Sequence, residues 1–449
     1  MWLRVGALLV ILTAALAGCR GGGGGGAEVE LPPLRPFERE LALVLGGIAS
    51  DAATLRELDL NTDIQQGTLT REQLGDYYEE AEAQTRAEEE FDLEGFNTVL
   101  RLLGMIGPED DLLDIVTNFQ STDVLGFYSP EDKKLVLVAG TASELSLLDE
   151  YVLAHEYVHS FQDRRFDLPE LDERTEEDDD DDSSTEYGDT IDALVEGDAV
   201  LASSLYILRE YGEGGFDQIA AESSAPEEIE GPEIPPAFQR YFSFPYDFGA
   251  TFVRYLYDQG GWDEVDKAYD RPPSTEEQVL HPEKYVQREG AIALKAQDIS
   301  EELGDGWSRQ DSGVFGEYDV YNWLYSNTGD DFGSQLAAAG WGGGRIAVYT
   351  EEPDAGGVVL HVSLIWDGGS DAREFYDAFV NVVRGLDPNP AVLDASGQIV
   401  GWENGDQAGR AWAQRNSFRM VVATEASDLE AALTALNAPS EIARADYLE

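Results

Sequence analysis

The sequence predicts an α+β fold. A mainly helical core spans residues 34–289, with a short β-hairpin ahead of its central helix, and a smaller α+β domain follows over residues 290–449. Three observations predict it. Apolar residues recur at helical spacing before residue 290, as at Tyr151, Ala154, Val158 and Phe161. Two strand-like runs, 124–128 and 134–138, stand side by side just before that stripe, joined by Ser129-Pro-Glu-Asp-Lys133 with turn chemistry. Beyond Gly290, strand-like runs outnumber helical ones.

The chain has 449 residues, room for two or three domains with proper cores, and its 43% hydrophobic content is ordinary. The charge is not ordinary. Against 29 basic residues stand 90 acidic ones, a formal net charge of −61. Such a surface repels phosphate backbones and anionic headgroups, which argues against nucleic-acid binding. It suits a salty or cation-rich medium, where self-repulsion is screened.

Residues 1–18 read as a targeting segment: Arg4 supplies the positive start, and the apolar run 5–16 is too short to span a bilayer comfortably. It ends in Leu16-Ala17-Gly18-Cys19, which resembles a bacterial or archaeal lipoprotein signal. That resemblance implies lipid on Cys19, a membrane partner and an exported, cell-envelope location. A plain signal peptide or an uncleaved anchor is the alternative. Cys19 is the only cysteine, so no intramolecular disulfide can form. Residues 19–33, with glycine at every position from 21 to 26, read as a flexible tether.

Residues 27–120 read as mostly helical. Candidates are 37–48, a charged run to Glu90 opened by a Thr70 N-cap, 97–105 and 110–119. None carries a catalytic pattern, and their expected role is to pack against the central helix. The 124–138 hairpin has two open roles. It is a purely structural hairpin, or an edge strand that pairs with an extended peptide.

The central helix carries His155-Glu156-Tyr-Val-His159, with Thr141-Ala-Ser-Glu144 upstream as a candidate capping box. Two histidines four apart project from one side of a helix and can share one metal ion. Glu156 can take a proton from a water held by such an ion. After it, residues 167–189 read as a solvated acidic loop that includes Glu176-Glu-Asp-Asp-Asp-Asp-Asp182. The run lacks the spacing and glycine of a known calcium loop.

A second helix is expected over 189–211, with a core stripe at Leu194, Leu201, Leu205 and Leu208. It carries Glu196. A catalytic zinc site needs three protein ligands and an open position, and two His with one Glu is a known set. Carboxylates are abundant, so spacing alone does not select Glu196. Its place in an apolar helix does, because an unpaired carboxylate there is costly. Gly197 beside it permits close approach of another backbone. Asp163, Asp192 and Asp198 are candidates for orienting a ligand histidine, with surface roles as the alternative.

His155-Glu-Tyr-Val-His159 followed by a helix bearing Glu196-Gly-Asp-Ala resembles the gluzincin branch of zinc metallopeptidases. The resemblance covers roughly residues 124–285. It implies a zincin-like core, a zinc ion held by His155, His159 and Glu196, and Glu156 as general base. The thermolysin type has an Asp four residues after the ligand Glu, whereas this chain has Val200. No Gly-x-Met-Glu-Asn peptide anchor is present, which puts aminopeptidase specificity in doubt. Phe244-Pro-Tyr246-Asp-Phe-Gly249 is similar to the Pro-Tyr-x-x-Gly helix start of gluzincin aminopeptidases. That similarity implies that the Tyr246 hydroxyl stabilises an oxyanion. His281 is the competing donor for that role, with helix capping as its structural alternative.

In the tail, the Gly-rich run 340–345 reads as a turn, strands are expected at 345–349, 358–366, 398–402 and 418–424, and helices at 372–383 and 428–436. No phosphate loop or acid–base pair stands out. His361 reads as a structural strand residue. Together these features point to a membrane-anchored, extracytoplasmic zinc peptidase acting on peptides or proteins, with oligomeric state left open. The rival is a cell-surface binding or assembly lipoprotein that keeps a metal without useful turnover.

Overall fold

The architecture is α+β: a helical N-terminal region around a small sheet, then a larger antiparallel sheet with helices. The structure, a computed structural model, describes residues 29–87, 93–138, 145–177, 185–223, 234–351, 357–387, 390–392, 398–405 and 407–439. The targeting segment 1–18, Cys19 and the glycine run 21–26 lie outside the described residues. Among the described residues, no helix is long and apolar enough to cross a membrane.

Helix α1 (Ala42–Arg56) starts and ends later than the expected 37–48 stretch. Arg35 is held extended by a bridge to Thr68, and Glu57 closes the helix in the left-handed region at φ 60°. Strand β1 (Gln65–Leu69) interrupts the region read as mostly helical. Helix α2 (Arg71–Ala87) opens on a reciprocal cap: the Gln73 N–H donates to Thr70 Oγ1 at 3.2 Å, and the Thr70 N–H to Gln73 Oε1 at 3.0 Å. Helices α3 (Leu93–Leu102) and α4 (Leu112–Thr122) follow, α4 capped by the Asp111 side chain. Strands β2 (Gly126–Ser129) and β3 (Lys134–Val138) form the expected antiparallel hairpin. β1 pairs parallel to β3, giving the order β1-β3-β2, so β2 is an edge strand.

The central helix α5 (Leu147–Phe166) is capped by Ser146 and Asp149, whose side chains and backbone amides bond reciprocally at 3.0 and 2.8 Å. The capping box proposed at Thr141–Glu144 lies outside the described residues. Ala154, Val158 and Phe161 are buried as the stripe requires, while Tyr151 is partly exposed and borders a cleft. The acidic loop expected over 167–189 begins instead as helix α6 (Leu168–Glu177). Asp167 turns left-handed at φ 57°, ending α5, and Pro169 then sits in the first turn of α6, where a missing N–H costs little. Residues 178–184 lie outside the described residues.

Helix α7 (Tyr187–Tyr211) buries Leu194 and Leu201, but Leu208 near its end is 47% exposed and leaves the predicted stripe. Helices α8 (Gly214–Ser223) and α9 (Pro236–Gly260) follow. The Pro245–Tyr246 pair lies inside α9 rather than at a helix start, so Pro245 forgoes one helical hydrogen bond there. Short helices α10 (Trp262–Asp270), α11 (Glu276–Leu280) and α12 (Pro282–Gln287) complete this part.

Beyond Gly290 come α13 (Ser300–Leu303), β4 (Trp307–Val314), α14 (Glu317–Thr328), α15 (Asp331–Ala338), β5 (Trp341–Glu351) and β6 (Val358–Trp366). Then follow α16 (Gly369–Leu386), β7 (Ala391–Val392), β8 (Ile399–Glu403), β9 (Ala408–Gln414), β10 (Ser417–Ala423) and α17 (Ala426–Ala435). The seven strands order as β4-β5-β6-β10-β9-β8-β7, with antiparallel neighbours. The expected turn at 340–345 is the start of β5. Its glycines serve close approach, since a side chain at Gly344 would meet the Phe315 carbonyl at 2.0 Å.

Both faces of this sheet are covered, which explains why β6 carries apolar residues on both of its sides. Leu360, Val362 and Leu364 join one core with Phe375 and Phe379 of α16, while Val359 joins another with Leu429 and Leu433 of α17. The larger core continues across residue 290. Helix α14 is tied into the helical region: the Tyr318 hydroxyl donates to the Arg240 carbonyl at 2.6 Å, and the Trp323 indole to the Leu103 carbonyl at 3.0 Å.

Candidate metal centre

One helical turn separates His155 from His159 on α5, and Glu196 on α7 faces both. His155 Nε2 lies 2.9 Å from His159 Nε2 and 2.9 Å from Glu196 Oε2, and His159 Nε2 lies 3.3 Å from that same oxygen. The rings meet at 84°, so their nitrogens converge instead of stacking. All three residues are buried. Zinc held at about 2.0–2.1 Å in a tetrahedron places neighbouring ligand atoms about 3.3 Å apart. The triangle of two nitrogens and one oxygen is close to one face of that tetrahedron, and the donor set suits zinc.

The electrostatics favour a cation at this point. Burial opposes the charge on His159, but Glu196 and Glu156 outweigh it and push its pKa up to about 9. A proton thus sits at neutral pH where an ion would take its place. Burial also opposes the charge of Glu196, yet the two imidazoles hold it well below the usual carboxylate range. Glu156 shows the reverse balance. Burial raises its pKa, the neighbouring histidines only partly offset that, and Glu196 adds to the rise. A carboxylate tuned upward in this way is a stronger base and suits proton transfer.

Neighbouring groups fix these side chains. Gln162, one turn beyond His159, accepts from His159 Nδ1 through Oε1 at 2.8 Å, because an amide oxygen can only accept, so Nδ1 carries a hydrogen. Once the extra proton is displaced, the lone pair is therefore left on Nε2, the atom facing Glu196 and His155. The Gln162 amide donates in turn to the Val195 carbonyl at 3.0 Å, linking α5 to α7. Glu156 accepts the backbone N–H of Tyr128 on β2.

Two of the three acids proposed to orient a histidine, Asp163 and Asp198, bond elsewhere. Asp163 accepts from the Tyr128 hydroxyl and Lys133 Nζ, both at 2.7 Å, and ties the hairpin to α5. Asp198, fully buried, accepts from Arg56 Nε at 2.5 Å and the Tyr269 hydroxyl at 2.7 Å, anchoring the back of α7. Asp192 is close enough to Tyr246 to raise its pKa. Gln162 escaped the sequence reading, although its place three residues after His159 on the same helix was a usable signal.

Helices α7 and α9 cross at two glycines. A side chain at Gly197 would come within 2.2 Å of the Gly249 carbonyl group, and one at Gly249 within 2.1 Å of the Ala193 carbonyl oxygen. The close approach expected of Gly197 is therefore present. It also accounts for Gly249 in the Pro-Tyr-x-x-Gly stretch: Tyr246 lies one turn earlier on the same face, its ring centroid 6.1 Å from that of His155. Tyr246 lines a cleft of about 340 Å³ with His155, Glu156, His159 and Glu196. Burial, then the charges of Glu196 and Glu156, lifts its pKa well above the usual phenol value, so it remains a hydrogen-bond donor.

His281 is not brought to this cleft. It sits at the junction of α11 and α12, bonded through Nε2 to Glu317 at 2.9 Å, and that bond raises its pKa. His361 is buried in β6, where desolvation and nearby Arg419 hold its pKa down at about 3. Cys19 lies outside the described residues.

A family model described as a domain of unknown function, DUF8575, matches residues 301–436. The match covers the C-terminal sheet and leaves the α5–α7 centre outside it. No curated protein and no solved structure matches the chain.

Proposed function

We propose that this chain is a zinc-dependent peptidase of the gluzincin type, exported and held at the outer face of a membrane by lipid on Cys19. The observation that carries the reading is the convergence of His155 Nε2, His159 Nε2 and Glu196 Oε2, with Glu156 beside them and Tyr246 across the same cleft. A zinc ion would be held by those three atoms and would supply Lewis acidity, making water nucleophilic near neutral pH and polarising a carbonyl.

The chain's own residues supply the rest. Glu156, oriented by the Tyr128 N–H, accepts a proton from the attacking water and returns it to the leaving amine. The Tyr246 hydroxyl donates to the substrate oxygen as negative charge builds on it. Gln162 keeps the His159 tautomer that presents Nε2 to the centre. Edge strand β2 borders the cleft, so an extended peptide can pair with it and be held across the centre.

The test is Glu156→Gln in the full chain. Peptide hydrolysis is expected to fall by about 10²–10⁴-fold with zinc content unchanged. A variant that keeps both its zinc and its turnover would remove Glu156 as the base. A wild type that binds zinc but cuts no peptide would favour the metal-containing binding lipoprotein.

A further inference from the structure

We propose that one end of the helical region, formed by the start of α1, the end of α7 and the start of α8, rests in the interface of a lipid bilayer. The inference rests on the reading that lipid on Cys19 anchors the chain, and adds which side of the fold meets the membrane.

Two ion pairs set α1 and α7 antiparallel. Arg56, in the last turn of α1, meets Asp198 in the middle of α7 at 2.5 Å. Asp51, further back in α1, meets Arg209 in the last turn of α7 at 2.8 Å. The start of α1 and the end of α7 therefore lie at one end of the pair. Helices α5 and α8 begin there too. The Tyr211 hydroxyl donates to Glu150 of α5 at 2.5 Å, and the Leu148 N–H of α5 donates to Glu222 of α8 at 2.8 Å.

At this end apolar side chains face solvent. Leu43 is 87% exposed, and Val44, Leu208, Tyr211 and Phe216 are exposed with it. Residues 41–50 hold no charged side chain, although 27% of the chain is charged. Single exposed apolar residues need no explanation, but five at one end of a helix layer mark a contact surface.

The chain's path and its charge point to the occupant. Residues 19–28 lie between Cys19 and the first described residue, and even fully extended they reach only about 35 Å. The fold is thus kept close to the lipid, and α1 is its first helix. A lipid fixes one point and leaves the fold free to turn about it. A basic patch on anionic headgroups is the common second contact. This end has the opposite charge, with Glu210, Glu213 and Asp217 among the apolar residues and Arg209 already paired to Asp51. What it offers is apolar surface for a neutral interface, where each such side chain gains by leaving water.

The test uses the full lipidated chain. Lipid occupies Cys19, the only cysteine, so Leu43→Cys and Phe216→Cys each provide one free thiol for a polarity-sensitive fluorophore. Phe332→Cys is the control, because Phe332 of α15 is also apolar and 76% exposed but lies in the C-terminal part. In phosphatidylcholine vesicles, labels at 43 and 216 should shift to the blue and be quenched by a lipid-borne quencher, while the label at 332 stays water-like. Water-like emission at all three, in chains that float with the vesicles, would overturn the proposal and leave the anchor intact. A blue shift at 43 that follows protein concentration without vesicles would put a second copy on this face and would also overturn it.

A second measurement separates the face from the anchor. It uses residues 19–449 with Cys19→Ser, which keep every described residue and carry no lipid. Their remaining partition into phosphatidylcholine vesicles should fall at least about ten-fold when Leu43→Asp and Phe216→Asp are added. If mass spectrometry finds no lipid on Cys19 of the wild type, the anchor reading falls, and this partition and its loss keep the face as a membrane contact. Partition that is absent, or indifferent to the two changes, would overturn the proposal.

Discussion

Helix α7 carries two buried acidic groupings, and their pKa values move in opposite directions. At its middle, Glu196 faces two imidazoles and is held ionised. At its start, Glu186 and Asp189 lie with Glu276 of α11 and Asp319 of α14; Glu186, Glu276 and Asp319 bring carboxylate oxygens within 4.8 Å of one another. Burial raises all four, Asp189 to about 7 and Asp319 to about 6, and repulsion from neighbouring carboxylates adds to the rise of Glu186, Asp189 and Glu276. Their bonds are to backbone amides and a phenol: Glu276 accepts from the Tyr318 N–H at 2.9 Å, Asp319 from the Tyr241 hydroxyl at 2.7 Å. The same residue type in the same helix is thus held charged in one place and pushed toward its neutral form in the other. The neighbours decide, not the burial.

Three changes sharpen that contrast. The largest effect is expected from Tyr246→Phe, which removes the hydroxyl across from His155, His159 and Glu196. Turnover should fall by about 10²–10³-fold with zinc content and KM little changed, read by steady-state kinetics. A fall confined to KM would mean that Tyr246 binds peptide instead of stabilising charge.

Next is Gln162→Ala. Loss of the His159 Nδ1 partner should weaken zinc by about 10–100-fold in a chelator competition, while thermal stability changes much less. Unchanged affinity would make Gln162 only a link between α5 and α7.

The smallest effect is expected at the acid cluster. Its folded pKa values lie above the unfolded ones, so the folded chain binds more protons and the cluster's contribution is fully present below about pH 4. It is lost as pH rises through about 6 to 7. Asp319→Asn removes one of those ionisations. Thermal melts should show it stabilised relative to wild type by about 1 kcal/mol at pH 8 and hardly at pH 5. Equal shifts at both pH values would show that ionisation is not what strains the cluster.

What was legible in the sequence follows the range of the interactions. His155, Glu156 and His159 are one turn of one helix, and local spacing identifies them. Glu196 is 37 residues further on but declares itself as a carboxylate in an apolar helix, with Gly197 marking the crossing of α9. The Arg56–Asp198 pair joins residues 142 apart, and nothing in either neighbourhood announces it. The acid cluster draws on three separated segments, and its members look like any of the 90 acids of the chain. Strand β1 is short, holds Gln65 and Gln66, and owes its state to pairing with β3, so its own pattern is weak. The tail's strands were found where apolar runs are long, as in β6, and missed in polar β4 and small-residue β9. His281 drew notice because histidine is rare here; its partner Glu317 is 36 residues away and holds it outside the cleft.

The most direct measurement is zinc content and affinity of the full chain beside Glu196→Ala. The account predicts about one zinc per wild-type chain and its loss, or a marked weakening, in the variant. Tight zinc that is indifferent to Glu196→Ala, or no zinc in the wild type even when it is supplied, would contradict it.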